Sequence, residues 1–232
     1  MIPKTIHYIW LGGEKNTIAK KAIETWRKRA PEYQIIEWNE QNLPKFTNSF
    51  YKEALINNDY AFASDYARLR ILKEYGGVYI DTDMFLLSDP SSILKNKDLA
   101  FGILDKDMIF STSIIASIPN QEFINEALKL YNHLSYDKGK IKTNTELLSP
   151  LMFKMYDFKH EVRTQIRGRI AAYSPNILLQ PSFSAVAMHI GTKTWTSYSR
   201  HDHLRIKLRQ HIKNQFEAGI FSLINSVGRR IF

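Results

Sequence analysis

Residues 65–83 of this chain combine a helix signal, two glycines and a strand signal in one uninterrupted stretch. Apolar side chains at helical spacing predict a helix with one buried face: Phe62, Tyr66, Leu69 and Leu72. Gly76 and Gly77 follow, and glycine is typical of a helix end because the chain there often adopts a positive φ. Residues 78–83 then predict a strand. This order of elements favours an α/β fold in which helices pack on a buried sheet.

Charged side chains occupy fixed positions in this stretch. Asp65 and Arg68 are three residues apart and therefore share one face of the helix. Side chains alternate along a strand, so Tyr79, Asp81 and Asp83 are expected on one face. Carboxylates suit a hard divalent cation that carries a diphosphate. Because residues i and i+2 lie roughly 6.6 Å apart on a strand, we expect Asp83 to bind the cation directly. Asp81 would contact the cation through water, or would hydrogen-bond the sugar or ribose of a bound sugar nucleotide.

Periodicity and turn residues predict the remaining elements. Strands are predicted at residues 5–11, 33–38, 99–104, 110–117, 177–179 and 186–190. Helices are predicted at 17–29, 48–57 and 121–134, and the first is expected to bury four side chains: Ala19, Ala22, Ile23 and Trp26. Residues 105–109, 137–142 and 143–150 are predicted as loops. Alternating strands and helices favour a parallel sheet with ligands at the carboxyl ends of its strands.

These motifs resemble glycosyltransferase family 32. That group is related to the yeast initiating mannosyltransferase and to bacterial capsule and exopolysaccharide transferases. The chain is also distantly similar to the catalytic domain of the clostridial glucosylating toxins. Residues 2–10 resemble the family's opening strand, and His189 followed by Thr194 and Trp195 resembles its His…Ser-Trp element, with Thr in place of Ser. The resemblance covers roughly residues 1–200. It implies a GT-A-type, Rossmann-like α/β domain with a central, mostly parallel sheet.

The resemblance implies a role for each matching residue. Three residues are expected to be catalytic: Asp81, Asp83 and Arg68. A metal ion, Mn²⁺ or Mg²⁺, is expected to bind Asp83 and His189, with a contribution from Asp81. A nucleotide-sugar donor is expected to contact a larger set: Ile9, Trp10, Asp65, Arg68, Tyr79, Asp81, Thr194 and Trp195. Within this set, Trp10 would stack on the base, Arg68 would donate a bidentate hydrogen-bond pair, and Trp195 would close over the diphosphate.

Simpler interpretations stand beside these roles. An isolated Asp-x-Asp pattern is most often a solvated turn. Asp65 and Arg68 also have the spacing of a surface ion pair. A tryptophan at a strand end, such as Trp10, is often part of the core, and a lone histidine such as His189 is usually structural.

The expected function is that of a metal-dependent retaining glycosyltransferase. It would transfer a hexose from a nucleotide-sugar, a UDP-sugar in preference to GDP-mannose, to a glycan or glycolipid acceptor in bacterial surface polysaccharide synthesis. The sequence identifies no nucleophile, so we expect a mechanism in which the departing diphosphate helps deprotonate the acceptor. Three alternatives remain: a toxin-like protein glycosyltransferase, a non-catalytic nucleotide-sugar-binding protein at a membrane, and a metal-dependent phosphohydrolase.

Composition limits the class of protein. The chain has 232 residues, enough for one catalytic domain over residues 1–200, and no cysteines, which excludes disulfides and thiolate metal ligands. The sequence shows neither a secretory signal nor an apolar run of about 20 residues that would span a membrane. We therefore expect a cytoplasmic protein, either free or peripheral on the inner face of the plasma membrane.

Residues 201–232 form a basic tail. Much of the net charge of +9 falls between residues 203 and 232, where six basic residues oppose only Glu217: Arg205, Lys207, Arg209, Lys213, Arg229 and Arg230. Apolar residues there recur at helical spacing: Ile212, Phe216, Ile220, Leu223, Ile224 and Val227. The pattern predicts an amphipathic helical tail that either packs on its own domain or binds an anionic membrane surface. Nucleic-acid binding is not expected, because the tail is the one basic cluster and carries no recognition motif.

Overall fold

The computed structural model describes residues 1–137, 139–191 and 200–231. In chain order, its elements are β1 (Thr5–Ile9), α1 (Thr17–Arg29), β2 (Gln34–Trp38), α2 (Ser49–Ile56), α3 (Tyr60–Tyr75), β3 (Gly77–Ile80), β4 (Met84–Leu86), α4 (Ser91–Leu94), β5 (Leu99–Gly102), β6 (Ser111–Ser117), α5 (Glu122–Tyr131), α6 (Asn144–Tyr156), β7 (Gln165–Arg167), β8 (Ile170–Tyr173), α7 (Pro175–Leu178), β9 (Ala187–His189), α8 (Arg200–Arg209) and α9 (Gln215–Ile231).

A seven-stranded sheet with the order β2-β1-β3-β6-β5-β8-β7 forms the centre of the fold. Strands β1, β2, β3, β5 and β8 run in one direction, and β6 and β7 run against them. The predicted GT-A-type α/β class with a mostly parallel central sheet is therefore confirmed. The carboxyl ends of β1 and β3 are neighbours, which brings Trp10 and Asp81 to the same edge of the sheet.

Helix α1 shows how the sequence builds the first β–α–β unit. The side chain of Asn16 caps the helix by accepting a hydrogen bond from the Ala19 amide at 2.9 Å. The helix spans the predicted residues and buries the four predicted side chains. One of these, Trp26, donates from Nε1 to the Met84 carbonyl oxygen at 2.8 Å, which fixes α1 to the start of β4.

The two glycines after α3 are required by their conformation and surroundings. Gly76 has a φ of +63° and Gly77 a φ of +89°. A Cβ atom at Gly77 would lie 2.7 Å from the Thr5 carbonyl oxygen, because β3 passes close to β1 there. The predicted turn from helix to strand is confirmed, and it aligns β3 with its neighbour from the first residue.

Buried apolar side chains form two clusters, one on each face of the sheet. One cluster joins β1 and β3 to α1, α7, β4, β9 and the C-terminal helices. The other packs α2, α3, α5 and α6 on the opposite face. Helix α3 is buried over most of its surface, including its charged residues Asp65 and Arg68. Asp65 and Arg68, whose spacing also fits a surface ion pair, therefore lie in the interior.

A second, two-stranded sheet pairs β4 with β9 in antiparallel register, with Met84 opposite His189. The Ile190 amide donates to the Asp83 carbonyl oxygen at 2.9 Å, so the pairing continues to the residue before β4. This small sheet places His189 beside Asp83, although the two are far apart in sequence. The predicted strand at 186–190 is confirmed.

Three predictions of local structure are wrong. The strand predicted at 78–83 ends at Ile80, because the Met84 amide bonds to the Asp81 carbonyl oxygen at 3.0 Å and closes a turn. Residues 177–179 are not a strand, since Pro175 begins the short helix α7. Residues 143–150 are not a loop, because Thr143 and Glu146 form a capping box that starts α6.

The C-terminal tail contains α8 and α9, and part of it packs on the domain. Three of its side chains are buried in the first cluster: Ile206, Ile212 and Ala218. Leu204 and Leu208 of α8 are exposed. Among the described residues, no helix has the length and apolar character needed to cross a membrane.

Candidate functional site

The charged residues of the helix–glycine–strand block meet at the carboxyl end of β3. Arg68 Nη2 lies 3.0 Å from Asp65 Oδ1 and 3.4 Å from Asp81 Oδ1. The Tyr79 hydroxyl donates to the same Asp81 oxygen at 2.9 Å. The structure therefore joins four of the predicted site residues into one network.

The Arg68 guanidinium is held by protein atoms on all sides. Nη1 donates to the Thr112 carbonyl oxygen at 2.8 Å, Nε to the Ser64 carbonyl oxygen at 3.2 Å, and Nη2 to Ser64 Oγ at 3.0 Å. The group also lies over the Tyr79 ring, with 4.5 Å between Cζ and the ring centroid. The direct bidentate contact of Arg68 with a sugar stays a prediction, and its observed role is to hold Asp65 and Asp81.

Burial changes the ionisation of this network. Desolvation raises the pKa of Asp65 to about 6, against the opposing charge of Arg68. The pKa of Asp81 is also raised, again because desolvation outweighs Arg68. Burial by itself would lower the pKa of Arg68, but Asp81, Tyr79 and Asp65 together raise it, so the guanidinium stays charged. The site holds one fixed positive charge between two carboxylates.

Asp83 and His189 form the second part of the site. His189 Nε2 lies 3.1 Å from Asp83 Oδ2. Desolvation lowers the pKa of His189, but the charge and hydrogen bond of Asp83 outweigh it, and the net shift is upward. On the other side of His189, Arg209 Nη1 donates to its carbonyl oxygen at 2.7 Å, which ties α8 to the site.

A carboxylate oxygen and an imidazole nitrogen that face each other suit a divalent transition-metal ion as a donor pair. Within the described part of the chain, no group of three or more His, Asp or Glu side chains is arranged to hold a metal ion. Asp83 and His189 are the two residues whose facing donor atoms would suit direct ligands of such an ion. Asp81, whose Oδ1 is engaged by Tyr79 and Arg68, fits an indirect contact better.

Two of the other predicted donor contacts, Ile9 and Trp10, lie at the carboxyl end of β1. Ile9 is buried in the second apolar cluster, so direct contact of its side chain with a donor stays a prediction. Trp10 is half-buried at the end of β1 and donates from Nε1 to the Gly13 carbonyl oxygen at 2.9 Å. Thr194 and Trp195 lie outside the described residues. Two cavities of about 380 and 640 Å³ are lined by residues outside the site. The site itself lies at the carboxyl edge of the sheet.

Sequence reasoning missed residues that support the site. Ser64 and Thr112 bind Arg68 through the contacts given above. Asn144 donates to the Asp65 carbonyl oxygen at 3.2 Å and accepts a hydrogen bond from the Tyr131 hydroxyl at 3.0 Å. The available signal was the Thr-x-x-Glu capping pattern at residue 143, which predicts a helix that begins with Asn144.

Comparison with known proteins agrees with this geometry. Residues 17–100 match the profile of a family described as "Glycosyltransferase sugar-binding region containing DXD motif". That region includes Asp65, Arg68, Tyr79, Asp81 and Asp83, and it leaves out the other predicted site residues: Ile9, Trp10, His189, Thr194 and Trp195.

Two fungal proteins are among the relatives. The chain is 26% identical to inositol phosphoceramide mannosyltransferase 1 of Schizosaccharomyces pombe over 59% of this chain and 46% of that protein. It is 29% identical to mannosyl phosphorylinositol ceramide synthase SUR1 of Saccharomyces cerevisiae over 60% of this chain and 36% of that protein. The chain thus spans less than half the length of these relatives.

A solved structure called PaToxG Glycosyltransferase resembles the fold, with a TM-score of 0.51 and 22% identity over 66% of this chain and 68% of that one. The likeness concerns the fold alone. Residues 17–100 therefore resemble a glycosyltransferase sugar-binding region with a DXD motif. The fold is a GT-A-type α/β fold, like that of this solved structure.

Proposed function

We propose that this chain is a metal-dependent retaining glycosyltransferase that moves a hexose from a nucleotide-sugar to a hydroxyl group of a glycan or glycolipid. One observation carries the proposal. The network of Asp65, Arg68 and Asp81 and the pair of Asp83 and His189 meet at the carboxyl end of β3. A site of this kind presents oxygen and nitrogen ligands next to a fixed positive charge, as a nucleotide-sugar requires.

Asp83 and His189 would hold Mn²⁺ or Mg²⁺, and Asp81 would act on it through water. The ion would supply positive charge against the diphosphate as it leaves. Arg68, held in place by Ser64 and Thr112, fixes the carboxylates of Asp65 and Asp81 so that they can accept hydrogen bonds from sugar hydroxyls.

The reaction breaks the bond between the anomeric carbon and the diphosphate oxygen. A new bond forms between that carbon and the acceptor oxygen on the same face of the sugar. The acceptor proton passes to the departing diphosphate oxygen, so no protein nucleophile is needed. Charge that develops on the diphosphate is the part of the transition state that the site stabilises.

UDP-hexose is our first choice of donor and GDP-mannose the second. The names of the two fungal relatives refer to mannosyl transfer to inositol phosphoceramide. They support a lipid-linked acceptor and make a mannose donor a necessary test. We place the enzyme in the cytoplasm, at the inner face of the plasma membrane, in bacterial surface polysaccharide synthesis.

The test is donor hydrolysis without acceptor. The purified chain is incubated with UDP-glucose, UDP-galactose, UDP-N-acetylglucosamine, UDP-N-acetylgalactosamine and GDP-mannose, in Mn²⁺ or in EDTA. We expect slow release of nucleoside diphosphate and free sugar from one donor in Mn²⁺ only. Asp83→Asn should lower that rate at least about a hundredfold, because it removes a charge that holds the ion.

The matched control is Asp89→Asn, an exposed position whose side chain accepts a hydrogen bond from the Ser91 amide at 2.8 Å. It should keep the wild-type rate. Release of sugar phosphate in place of free sugar would identify a phosphohydrolase. Full activity in Asp83→Asn, or no hydrolysis and no thermal stabilisation by UDP or GDP with Mn²⁺, would overturn the proposal.

A further inference from the structure

Helix α9 has apolar side chains on two opposite faces. Ala218 is buried, and Phe221 packs against the first apolar cluster. Four large side chains on the other face are exposed, and we call them the apolar stripe: Phe216 (67%), Ile220 (40%), Leu223 (56%) and Ile224 (66%). At 3.6 residues per turn they fall within a sector of about 100° that points away from Ala218. Packing of α9 on its own domain therefore does not account for the stripe.

The exposed apolar surface extends beyond α9. Phe183, in the segment between α7 and β9, is 52% exposed, and its ring centroid lies 6.2 Å from that of Phe216. A Cβ atom at Gly219 would lie 2.1 Å from the Phe183 ring, so only glycine lets the ring rest on the helix backbone. Two segments thus contribute to one continuous apolar surface.

Basic side chains border this surface at the start of α9. Exposed Lys213 precedes Phe216 by three residues, and Arg29 Nη2 donates to the Lys213 carbonyl oxygen at 2.6 Å. Lys21 Nζ lies 3.5 Å from Gln210 Oε1, so α1 lies along the turn between α8 and α9. We call Lys21, Arg29 and Lys213 the basic border. Acidic residues lie nearby as well: Glu24 on α1, Glu217, which accepts from the Lys213 amide, and Asp89, which follows Ser88. Ser88 Oγ accepts a hydrogen bond from Gln215 Nε2 at 3.1 Å at the start of α9.

We propose that the apolar stripe and the basic border together form a docking surface for an anionic lipid membrane. Apolar side chains would enter the boundary between headgroups and acyl chains, and the basic side chains would face anionic headgroups. A second copy of this chain suits the surface less well. A twofold contact through the stripe would bring two basic borders of like charge together.

This docking surface adds a membrane partner to the proposed function, and the biological role of the surface rests on that function. Helix α8 precedes α9 and is tied to the site by the hydrogen bond from Arg209 to the His189 carbonyl oxygen. A protein held through α9 would keep the site close to the headgroup layer. A lipid-linked acceptor presents its hydroxyl groups in that layer.

The test is sedimentation with vesicles, without donor or metal, so that it does not depend on enzymatic activity. Vesicles of phosphatidylcholine alone are compared with vesicles that also contain phosphatidylserine. We expect the wild-type chain to sediment with the anionic vesicles, and high salt to reduce binding. Leu223→Ser/Ile224→Ser should weaken binding more than about tenfold, because it removes two exposed aliphatic groups that the membrane would bury. Lys21→Gln/Lys213→Gln should weaken it roughly tenfold or more, from two lost basic charges.

The matched control is Ile56→Ser/Val162→Ser, which changes two side chains that are 79% and 50% exposed and lie outside this surface. It should bind as the wild type does. Donor hydrolysis measured without vesicles should be unchanged in the stripe variant, which separates loss of docking from failure of the proposed function. Absence of binding to anionic vesicles, or equal binding by the stripe variant, would overturn the proposal. So would a dimer in sedimentation velocity that the stripe variant abolishes while vesicles remain unbound.

Discussion

At the scale of single residues, Asp81 is a carboxylate whose position is fixed by protein contacts. Its Oδ1 accepts a hydrogen bond from the Tyr79 hydroxyl and lies near Arg68 Nη2, and its amide donates to the Ser113 carbonyl oxygen at 2.8 Å. These contacts set the orientation of the carboxylate before any ligand binds. A pre-oriented group loses little freedom on binding, so its contacts count almost fully toward affinity.

Tyr79→Phe should weaken metal-dependent nucleotide binding about tenfold. The phenyl ring fills the same buried space, but Asp81 loses a hydrogen bond to a charged oxygen, worth about 1.5–3 kcal/mol. Calorimetric titration of UDP and of GDP in Mn²⁺ measures the effect. Tyr33→Phe is the control, because it removes a neutral tyrosine hydrogen bond, with Ser91 Oγ at 3.1 Å, that is not part of the site network. Equal affinities in Tyr79→Phe and the wild type would show that Asp81 needs no such support.

At the scale of elements, β1 carries a buried histidine whose charge state follows from the packing of β2 on β1. His7 Nδ1 accepts a hydrogen bond from Trp38 Nε1 at 3.1 Å, which requires the neutral imidazole. Burial lowers the pKa of His7 to about 4 from its ordinary value of 6.5, and the Gly76 backbone offsets this only in part.

This shift predicts how stability depends on pH. Below pH 6.5 the unfolded chain takes up a proton that the folded imidazole refuses until about pH 4. The contribution of neutral His7 to the free energy of unfolding is therefore fully present above pH 6.5. It falls by about 3 kcal/mol as the pH drops toward 4. Urea unfolding at pH 7 and at pH 4 measures this loss of stability. His7→Asn, which keeps an acceptor for Trp38, should not show the part of the loss that comes from His7. Exposed His133→Asn should retain it, and the same pH dependence in all three proteins would refute the assignment.

At the scale of the whole molecule, the C-terminal helices belong to the core on one face of the sheet. Ile206 of α8 and Ile212 after it are buried in the cluster that includes Trp26 and Ile80. The tail was predicted to start at residue 201 as part of the domain or as an extension of it. Its buried side chains favour the first alternative, while the apolar stripe of α9 stays outside the core.

Ile206→Ala should lower the free energy of unfolding by about 2–4 kcal/mol, because it opens a cavity in a shared core. Tryptophan fluorescence in urea is the suitable measurement, since all four tryptophans precede α8 in the chain. Leu208→Ala, at an exposed position of the same helix, should change stability by less than about 0.5 kcal/mol. An unchanged tryptophan transition in Ile206→Ala would mean that the tail unfolds separately.

The sequence by itself determined the local parts of this protein. Helical spacing predicted α1 to the residue, with its four buried side chains, and the glycine pair marked the turn between α3 and β3. The spacing of Asp65 and Arg68 implied that they could pair, and they do. These features depend on neighbours within a few residues, and backbone and side-chain periodicity act at that range.

Only the tertiary structure decided which distant residues meet. His189 lies beside Asp83 because β9 pairs with β4 in one register, and a shift by one residue would turn the histidine to the other face. The hydrogen bond from Arg68 Nη1 to the Thr112 carbonyl oxygen also depends on packing from another element, since Thr112 lies on β6. Short apolar runs such as residues 177–179 fit a strand or a helix equally well until Pro175 and the surrounding core select one. Register and burial are properties of the assembled sheet, and for that reason the site became complete only in the folded chain.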